Sequence, residues 1–417
     1  MRVVIVADNA STQFGGEAFL PFNYFRLLRV RNVDVRLVVH ARNRSELVEK
    51  FPADLDRLFF VEDTTLHKAL FRLGNCLPTR FAEATTGVAI QLSTQLSQRQ
   101  TIRNLQDVHG VDIVHQPIPV SPKAPSMMFG VDAAVVVGPL NGGMEYPEAF
   151  RREHGMLSNL AIAMGRGLAN YLNMIIPGKR RASLVLVANR RTRAALPSGL
   201  KGRVIELVEN GVDFSVWRGK PDRIPRDEKN IVRFVFVGRL IDWKAIEIIL
   251  EAMQRIRSDV EISLEIIGDG PMRKGWQILA EQLGLSGAVT FSGWMSQQNC
   301  ALRLQQADVF LLPSLFECGG AVVLEAMAMG LPVVATAWGG PVDYLDDSCG
   351  ILVSPVSREA LISGFASSMK SLAESPSLRQ RLGLAGLERA RQHFDWERKI
   401  DQILDLYRTA VSPGSVG

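Results

Sequence analysis

Two glutamates, Glu317 and Glu325, are separated by seven residues in the stretch SLFECGGAVVLEAMAMGLPVVAT. An ionised carboxylate accepts hydrogen bonds and donates none, so the pair suits hydroxyl groups and would repel a phosphate. Between them, Gly319 and Gly320 let a ligand approach the backbone, and the amides of a helix opening there favour an anion. A molecule carrying both hydroxyls and phosphate, as a nucleotide sugar does, answers both demands. A second pair lies earlier in the chain, where Arg239 ends a strand-like run and Lys244 follows five residues on. Two cations at a strand's carboxyl end, one with no accessible neutral form, suit a diphosphate held without a metal.

These residues need elements to position them. Asp308–Leu312 has strand length and is stopped by Pro313 and Ser314. Ala321–Met329 reads as a helix closed by Gly330 and Pro332, and Val333–Thr336 as a second buried strand, which makes one right-handed βαβ unit. In the first half, apolar runs at Val3–Ala7, Val35–Val39, Asp112–His115, Ala133–Val137 and Leu184–Ala188 alternate with helical stretches. The pattern predicts an α/β fold with a doubly wound parallel sheet, whose ligands sit beyond the carboxyl ends of the strands.

The segments following those ends are therefore the candidates. Gly15 and Gly16 open a helix over Ala18–Val30, either as a ligand loop or as a plain tight turn. His115 stands at a strand end, where a lone histidine admits a structural and a catalytic reading. Asn141 and Gly142 either bind hydroxyls or make a turn. In the second half, Val232–Val237 precedes Gly238 and Arg239, Leu264–Ile267 precedes Gly268, and Val289–Phe291 precedes Trp294. The Trp294 indole either flanks a base or packs on its own domain. Asp54-Leu55-Asp56 has the outline of a metal motif, but its polar loop context reads as a turn.

With its strand, glycines and following helix, the Glu317–Glu325 stretch resembles the donor-site signature of retaining glycosyltransferases of the GT-B fold, in particular the GT4 family (glycosyl transferases group 1). The string GRLIDWKAIEIILEAM is similar to that family's diphosphate-binding segment, with Ala245 in place of a common glycine. Asn210-Gly211-Val212-Asp213 resembles its first landmark beyond the hinge, and Phe394-Asp395-Trp396 with the amphipathic Lys399–Arg408 its terminal helix. The resemblance implies two Rossmann-like domains facing a deep cleft: residues 1–203 on the acceptor side, 204–392 binding the donor, and 393–417 packing back on the first domain. It implies transfer of a sugar from a nucleoside-diphosphate sugar to an acceptor hydroxyl with retention of configuration, without metal or other cofactor.

In that scheme Arg239 and Lys244 hold the diphosphate, Glu317 orients the sugar and Glu325 binds the ribose. Cys318, Gly319, Gly320, Ala321 and Val322 line the donor, with Gly15, Gly16, Gly238, Gly268 and Trp294 around it. His115 lies near the reacting sugar, and Asn141 and Gly142 on the acceptor side. The sequence departs from the family at Pro117, where a second histidine often stands, and after Ala133–Val137, where many relatives carry a His-Asp pair. Two alternatives stay open. One is a GT-B enzyme of other chemistry, a nucleotide-sugar epimerase or a phosphorylase; the other is a non-catalytic carbohydrate or lipid-surface binding protein.

Composition bounds the class. A chain of 417 residues exceeds what a single core usually supports, and 47% hydrophobic with 22% charged residues is a globular balance. No apolar run approaches the roughly 18 residues of a membrane span, and Met1–Asp8 turns polar too soon for a signal peptide. Cys76, Cys300, Cys318 and Cys349 show no paired spacing, which suits a reducing compartment and a cytoplasmic protein. Residues 1–220 hold 28 Lys and Arg against 19 Asp and Glu, a balance of +9, which leaves −4 for the rest of a chain of net +5. No basic patch interleaved with aromatics calls for nucleic acid, so an anionic membrane face or a phosphorylated acceptor fits the excess better. Leu66–Gln106 and Phe150–Ile176, the latter running to Lys179-Arg180-Arg181, read either as amphipathic surfaces for anionic lipid or as ordinary sheet-covering helices. Pro221–Lys229 reads as a polar loop and Ser412–Gly417 as a frayed end.

Overall fold

A computed structural model describes residues 1–13, 16–76, 82–153, 170–219 and 231–411. Gly15, the loop Pro221–Lys229, the tail Ser412–Gly417 and most of the expected helix Phe150–Ile176 lie outside the described residues. The chain forms two compact units. One comprises Met1–Gly143, Gly155–Glu209 and Lys399–Gly417; the other comprises Met144–His154 and Asn210–Arg398.

Among the described residues, the first unit has seven strands: β1 (Arg2–Ala7), β2 (Asp34–His40), β3 (Leu58–Val61), β4 (Ile113–Gln116), β5 (Ala134–Leu140), β6 (Leu184–Val187) and β7 (Arg203–Glu206). They lie in the order β3-β2-β1-β4-β5-β6-β7, and every neighbouring pair is parallel. The described residues of the second unit form six: β8 (Val232–Val237), β9 (Ile262–Ile267), β10 (Val289–Gly293), β11 (Val309–Leu312), β12 (Val333–Thr336) and β13 (Gly350–Val353). Their order is β10-β9-β8-β11-β12-β13, again all parallel. The expected doubly wound parallel sheet is thus present twice. The inner strands β4, β6, β11 and β12 are buried at every position, as strands covered on both faces must be, and β4 and β12 take the polar His115, Gln116 and Thr336 inside with them.

One boundary differs from the expectation. The resemblance places the run beginning at Val204 in the donor domain, yet Arg203–Glu206 pairs with β6, Leu184 opposite Arg203 and Val187 opposite Glu206. This strand is exposed at both ends and half-buried between them, so it closes the edge of the first sheet and satisfies one row of β6 backbone groups. The first unit accordingly runs on to Glu209.

The last helix, Trp396–Val411, returns to the first unit from Lys399 onward and buries Ile400, Ile403 and Tyr407 there. Its Tyr407 hydroxyl lies 2.6 Å from Nδ1 of His115, whose Nε2 meets the Gly138 carbonyl. A carbonyl only accepts, so the proton sits on Nε2 and the tyrosine donates to Nδ1. Tyr407→Phe would leave a fully buried ring nitrogen without a donor. The expected loss is roughly 1–3 kcal/mol of stability, read from urea unfolding, with the secondary structure retained.

Candidate functional site

In a doubly wound sheet the loops diverge where the strand order reverses, leaving a crevice at the carboxyl ends. In the second unit that point lies between β8 and β11, and the candidate residues flank it. Lys244 ends a short 3₁₀ turn, Asp242–Lys244, after β8; Glu317 lies in the loop after β11. Their side chains form an ion pair, Lys244 Nζ to Glu317 Oε2, with 12% and 14% of each side chain exposed. The amide of Leu315 donates to the Trp243 carbonyl at 2.8 Å and fastens the two loops a second time. Arg239, on the same loop as Lys244, is exposed.

Glycines make these loops fit. Gly320, at the start of the helix Ala321–Ala328, has φ +76°, and a Cβ there would stand 3.0 Å from Cγ of Glu317. A Cβ on Gly268 would lie 1.9 Å from the Gly238 carbonyl oxygen, and one on Gly340 1.9 Å from that of Gly319. Gly238 N–H donates to Ile267 and Gly268 N–H to Gly293, at 3.0 and 2.8 Å, stitching the loops after β8, β9 and β10. Trp294 is 70% exposed, so of its two readings, packing on its own domain is set aside.

Glu325 lies on the Ala321–Ala328 helix between the buried Leu324 and Ala326. Burial raises its carboxyl to about 8, so in the free protein it is largely protonated at neutral pH. Burial first, then the nearby Glu325 and Glu265 carboxylates, pushes the neighbouring Cys300 thiol up to about 11. Cys318, Gly319, Ala321 and Val322 are half-buried along the loop and the first helical turn.

The second unit also contains a part that the sequence did not flag. Met144–His154 belongs to it although the chain on either side belongs to the first. Tyr146 packs its ring on Phe316 at 5.1 Å, and the Trp338 indole donates to the Glu145 carbonyl at 2.7 Å. Both contacts brace the loops that bear Glu317 and Gly340, whose amide donates to the Glu317 carbonyl at 2.7 Å. Only the aromatic following Gly142 and Gly143 hinted at this, and nothing local specified its partner.

The first-unit candidates are placed differently. Gly16 begins the helix Gly16–Val30. His115 is completely buried, with both ring nitrogens bonded and Tyr24 edge-on at 4.8 Å. Burial lowers its pKa to about 4, against a smaller opposing effect of the Gly138 carbonyl. This corrects the catalytic expectation for His115: a neutral imidazole with no free nitrogen is part of the scaffold. Asn141 is buried too, donating to Glu209 and accepting from Thr192 Oγ1 at 3.4 Å, and the amide of Gly142 donates to that hydroxyl at 3.1 Å. Asp54, the first acid of the metal-like triplet, pairs with Arg29 at 2.7 Å beside the turn Leu55–Arg57.

Two such sheets, with a terminal helix that returns to the first unit, define the GT-B fold. Solved structures share it. Sucrose-phosphate synthase from Thermosynechococcus elongatus superposes with TM-score 0.67 at 18% identity, covering 99% of this chain and 100% of that one. Anabaena HepE in complex with UDP-glucose gives 0.65 at 19%, covering 98% and 100%. Residues 220–389 match the sequence profile of the glycosyl transferases group 1. Among curated relatives, D-inositol 3-phosphate glycosyltransferase of Mycobacterium avium is 32% identical over 221 residues, half of each chain. The chain thus spans about half the length of that relative.

The burial of Glu325 has a measurable consequence. Its folded pKa lies above the unfolded value, so its contribution to stability is fully present below about 4.5 and lost as pH rises through about 8. Glu325→Gln carries no titrating proton. Its melting temperature should gain on that of the parent steadily from pH 5 to pH 8.5, and parallel curves would rule out a buried, neutral Glu325.

Proposed function

We propose that the protein is a retaining glycosyltransferase that moves a sugar from a nucleoside-diphosphate sugar to an acceptor hydroxyl, on a glycan, a lipid-linked saccharide or a small polyol. The observation that carries this reading is the Lys244–Glu317 pair at the switch point of the second sheet, with Arg239 on the same loop. The family match over residues 220–389 supports it, as does the UDP-glucose held by the structurally similar HepE.

In this reading Arg239 and Lys244 receive the diphosphate. As the bond from the anomeric carbon to the donor phosphate breaks, negative charge grows on the departing oxygen, and the two cations stabilise it more than they stabilise the ground state. Before the donor arrives, Glu317 neutralises Lys244, so neither is an isolated half-buried charge. The diphosphate then shares the lysine, leaving Glu317 to accept from sugar hydroxyls and fix the pose of the ring. No carboxylate is assigned as a nucleophile. The acceptor oxygen forms its bond on the face the diphosphate leaves, its proton passes to a donor phosphate oxygen, and the nucleoside diphosphate departs carrying it. Ribose hydroxyls donate to Glu325, whose carboxyl has no hydrogen-bond partner among the described residues. No metal takes part.

The two glutamates separate by role. Glu317→Gln should lower kcat sharply while leaving calorimetric affinity for the nucleoside diphosphate unchanged or stronger, because Lys244 is then released for the phosphates. Glu325→Ala should weaken that affinity by roughly 1.5–3 kcal/mol. The reverse pattern would show the assignment to be wrong. The matching base comes from a thermal-shift panel of UDP, GDP and ADP, since occupancy raises the melting temperature. Turnover should persist in EDTA; an activity restored strictly by manganese or magnesium would exclude the metal-free scheme.

A further inference from the structure

Strands of a parallel sheet covered on both faces read as continuous apolar runs, and β8, β9 and β10 do not. Their sequences, VRFVFV, ISLEII and VTFSG, carry polar residues at alternate positions. Parallel register sets Arg233 beside Ser263 and Thr290 beside Glu265, and side chains two apart on a strand share a face. These four therefore stand on one side of the sheet, while Phe234, Phe236, Leu264 and Ile266 are buried on the other. The helix that returns from β10 to β11, Gln297–Leu304, has only eight residues and leaves part of the polar face open. A cavity of about 210 Å³ results, lined by those four residues and by Arg303 and Gln306. It is set back from the crevice at the carboxyl ends, since five residues, roughly 16 Å of strand, lead from Arg233 to Gly238.

Much of this polar lining is left over after its internal contacts. Arg303 donates to Oε1 of Glu265 from Nε at 2.9 Å and from Nη2 at 2.6 Å, and the Ser292 hydroxyl ends on the same oxygen. Oε2 of Glu265, Nη1 of Arg303 and the hydroxyls of Ser263 and Thr290 make no hydrogen bond among the described residues. The Arg233 side chain is exposed and engaged by no ion pair among them, yet its backbone is fixed. Its amide donates to the Asp308 carboxylate at 2.9 Å, and its carbonyl accepts from the Asp308 amide at 2.7 Å. Guanidinium forks match phosphate oxygens, and here two of them outweigh one carboxylate. The free carboxylate oxygen accepts only from donors such as hydroxyls, and Ser263 and Thr290 can both give and accept. The volume lies below the roughly 300–1,000 Å³ of sites for drug-sized ligands, which sets the scale at one small polyol rather than a nucleotide sugar.

We propose that this face of the second unit binds a small phosphorylated polyol, such as a hexose phosphate, at a site separate from the donor crevice. The phosphate meets Arg233 and Nη1 of Arg303, and the polyol hydroxyls meet Glu265, Ser263 and Thr290. This binding stands independently of the transfer chemistry. Its test is calorimetry on the full chain with glucose 6-phosphate, glycerol 3-phosphate, glucose and inorganic phosphate. At least one of the phosphorylated polyols should bind one-to-one, more than about tenfold tighter than glucose or inorganic phosphate, and more weakly as salt rises. Arg233→Gln should weaken that binding roughly tenfold or more, a charge-assisted bond being lost, and Thr290→Val severalfold. Arg239→Gln, which removes a cation from the donor crevice, should leave it unchanged. Melting curves verify that the variants fold; Arg233→Lys, which keeps the charge and loses the fork, replaces an Arg233→Gln protein that does not, and should weaken binding severalfold. Binding of neither phosphorylated polyol, equal affinity for inorganic phosphate, or an affinity that the Arg233 variant leaves unchanged overturns the proposal. So does an equal loss in Arg239→Gln.

Discussion

At the carboxyl edge of the second sheet, loops touch backbone to backbone, Gly268 on Gly238 and Gly340 on Gly319, with no room for a Cβ between them. The rest of the site depends on that closeness. Loops are ordinarily the mobile part of an α/β unit, but here amide–carbonyl bonds run directly from one to the next. The stack brings Lys244 within reach of Glu317 and aims the first turn of the Ala321–Ala328 helix at the same crevice. Ala245 shows how firmly the path is set. It adopts φ 51° and ψ 42°, a conformation that costs an L-residue roughly 1–2 kcal/mol. Its methyl group is completely buried, which offsets part of that cost.

Burial forces each ionisable group in the molecule to a different settlement, and the settlements sort them. Glu317 and Lys244 pair with each other. Glu325, with no such partner among the described residues, is pushed up to about 8 by burial and takes up a proton. His115 gives its proton up and becomes a neutral link between the Gly138 carbonyl and Tyr407. Lys179 is held by two carbonyl oxygens. Groups poised to exchange partners lie at the switch point of the second sheet; those fully committed to the scaffold lie inside the first unit.

The parallel-sheet fold was legible because β1, β2, β5, β8 and β9 are long apolar runs, and their period needs no tertiary information. The β11–helix–β12 unit was legible for the same reason, reinforced by its glycines and proline. Leu58–Val61 and Gly350–Val353 escaped, being four-residue strands at sheet edges with little pattern to read. β7 was legible as a strand but not as a member of the first sheet, since pairing with β6 rather than β8 is a long-range choice. The residues around Glu317 could be named from local spacing. Tyr146 and Trp338 could not, because Tyr146 meets Phe316 and Trp338 meets Glu145 only through a chain excursion that no local pattern records. His115 misled for a related reason: its strand-end position suggested access, and the helix that encloses it comes from the far end of the chain.

That helix bears on how the protein is made. His115 and Tyr407 are separated by 292 positions, and Lys399 reaches the Val208 carbonyl at 2.6 Å from the same late segment. During synthesis, every residue of the second unit leaves the ribosome before the first can close its interior. Until then His115 lacks its donor, and the surface later covered by Ile400 and Ile403 lies open to water or to a chaperone. The half of the molecule that is translated first is completed last.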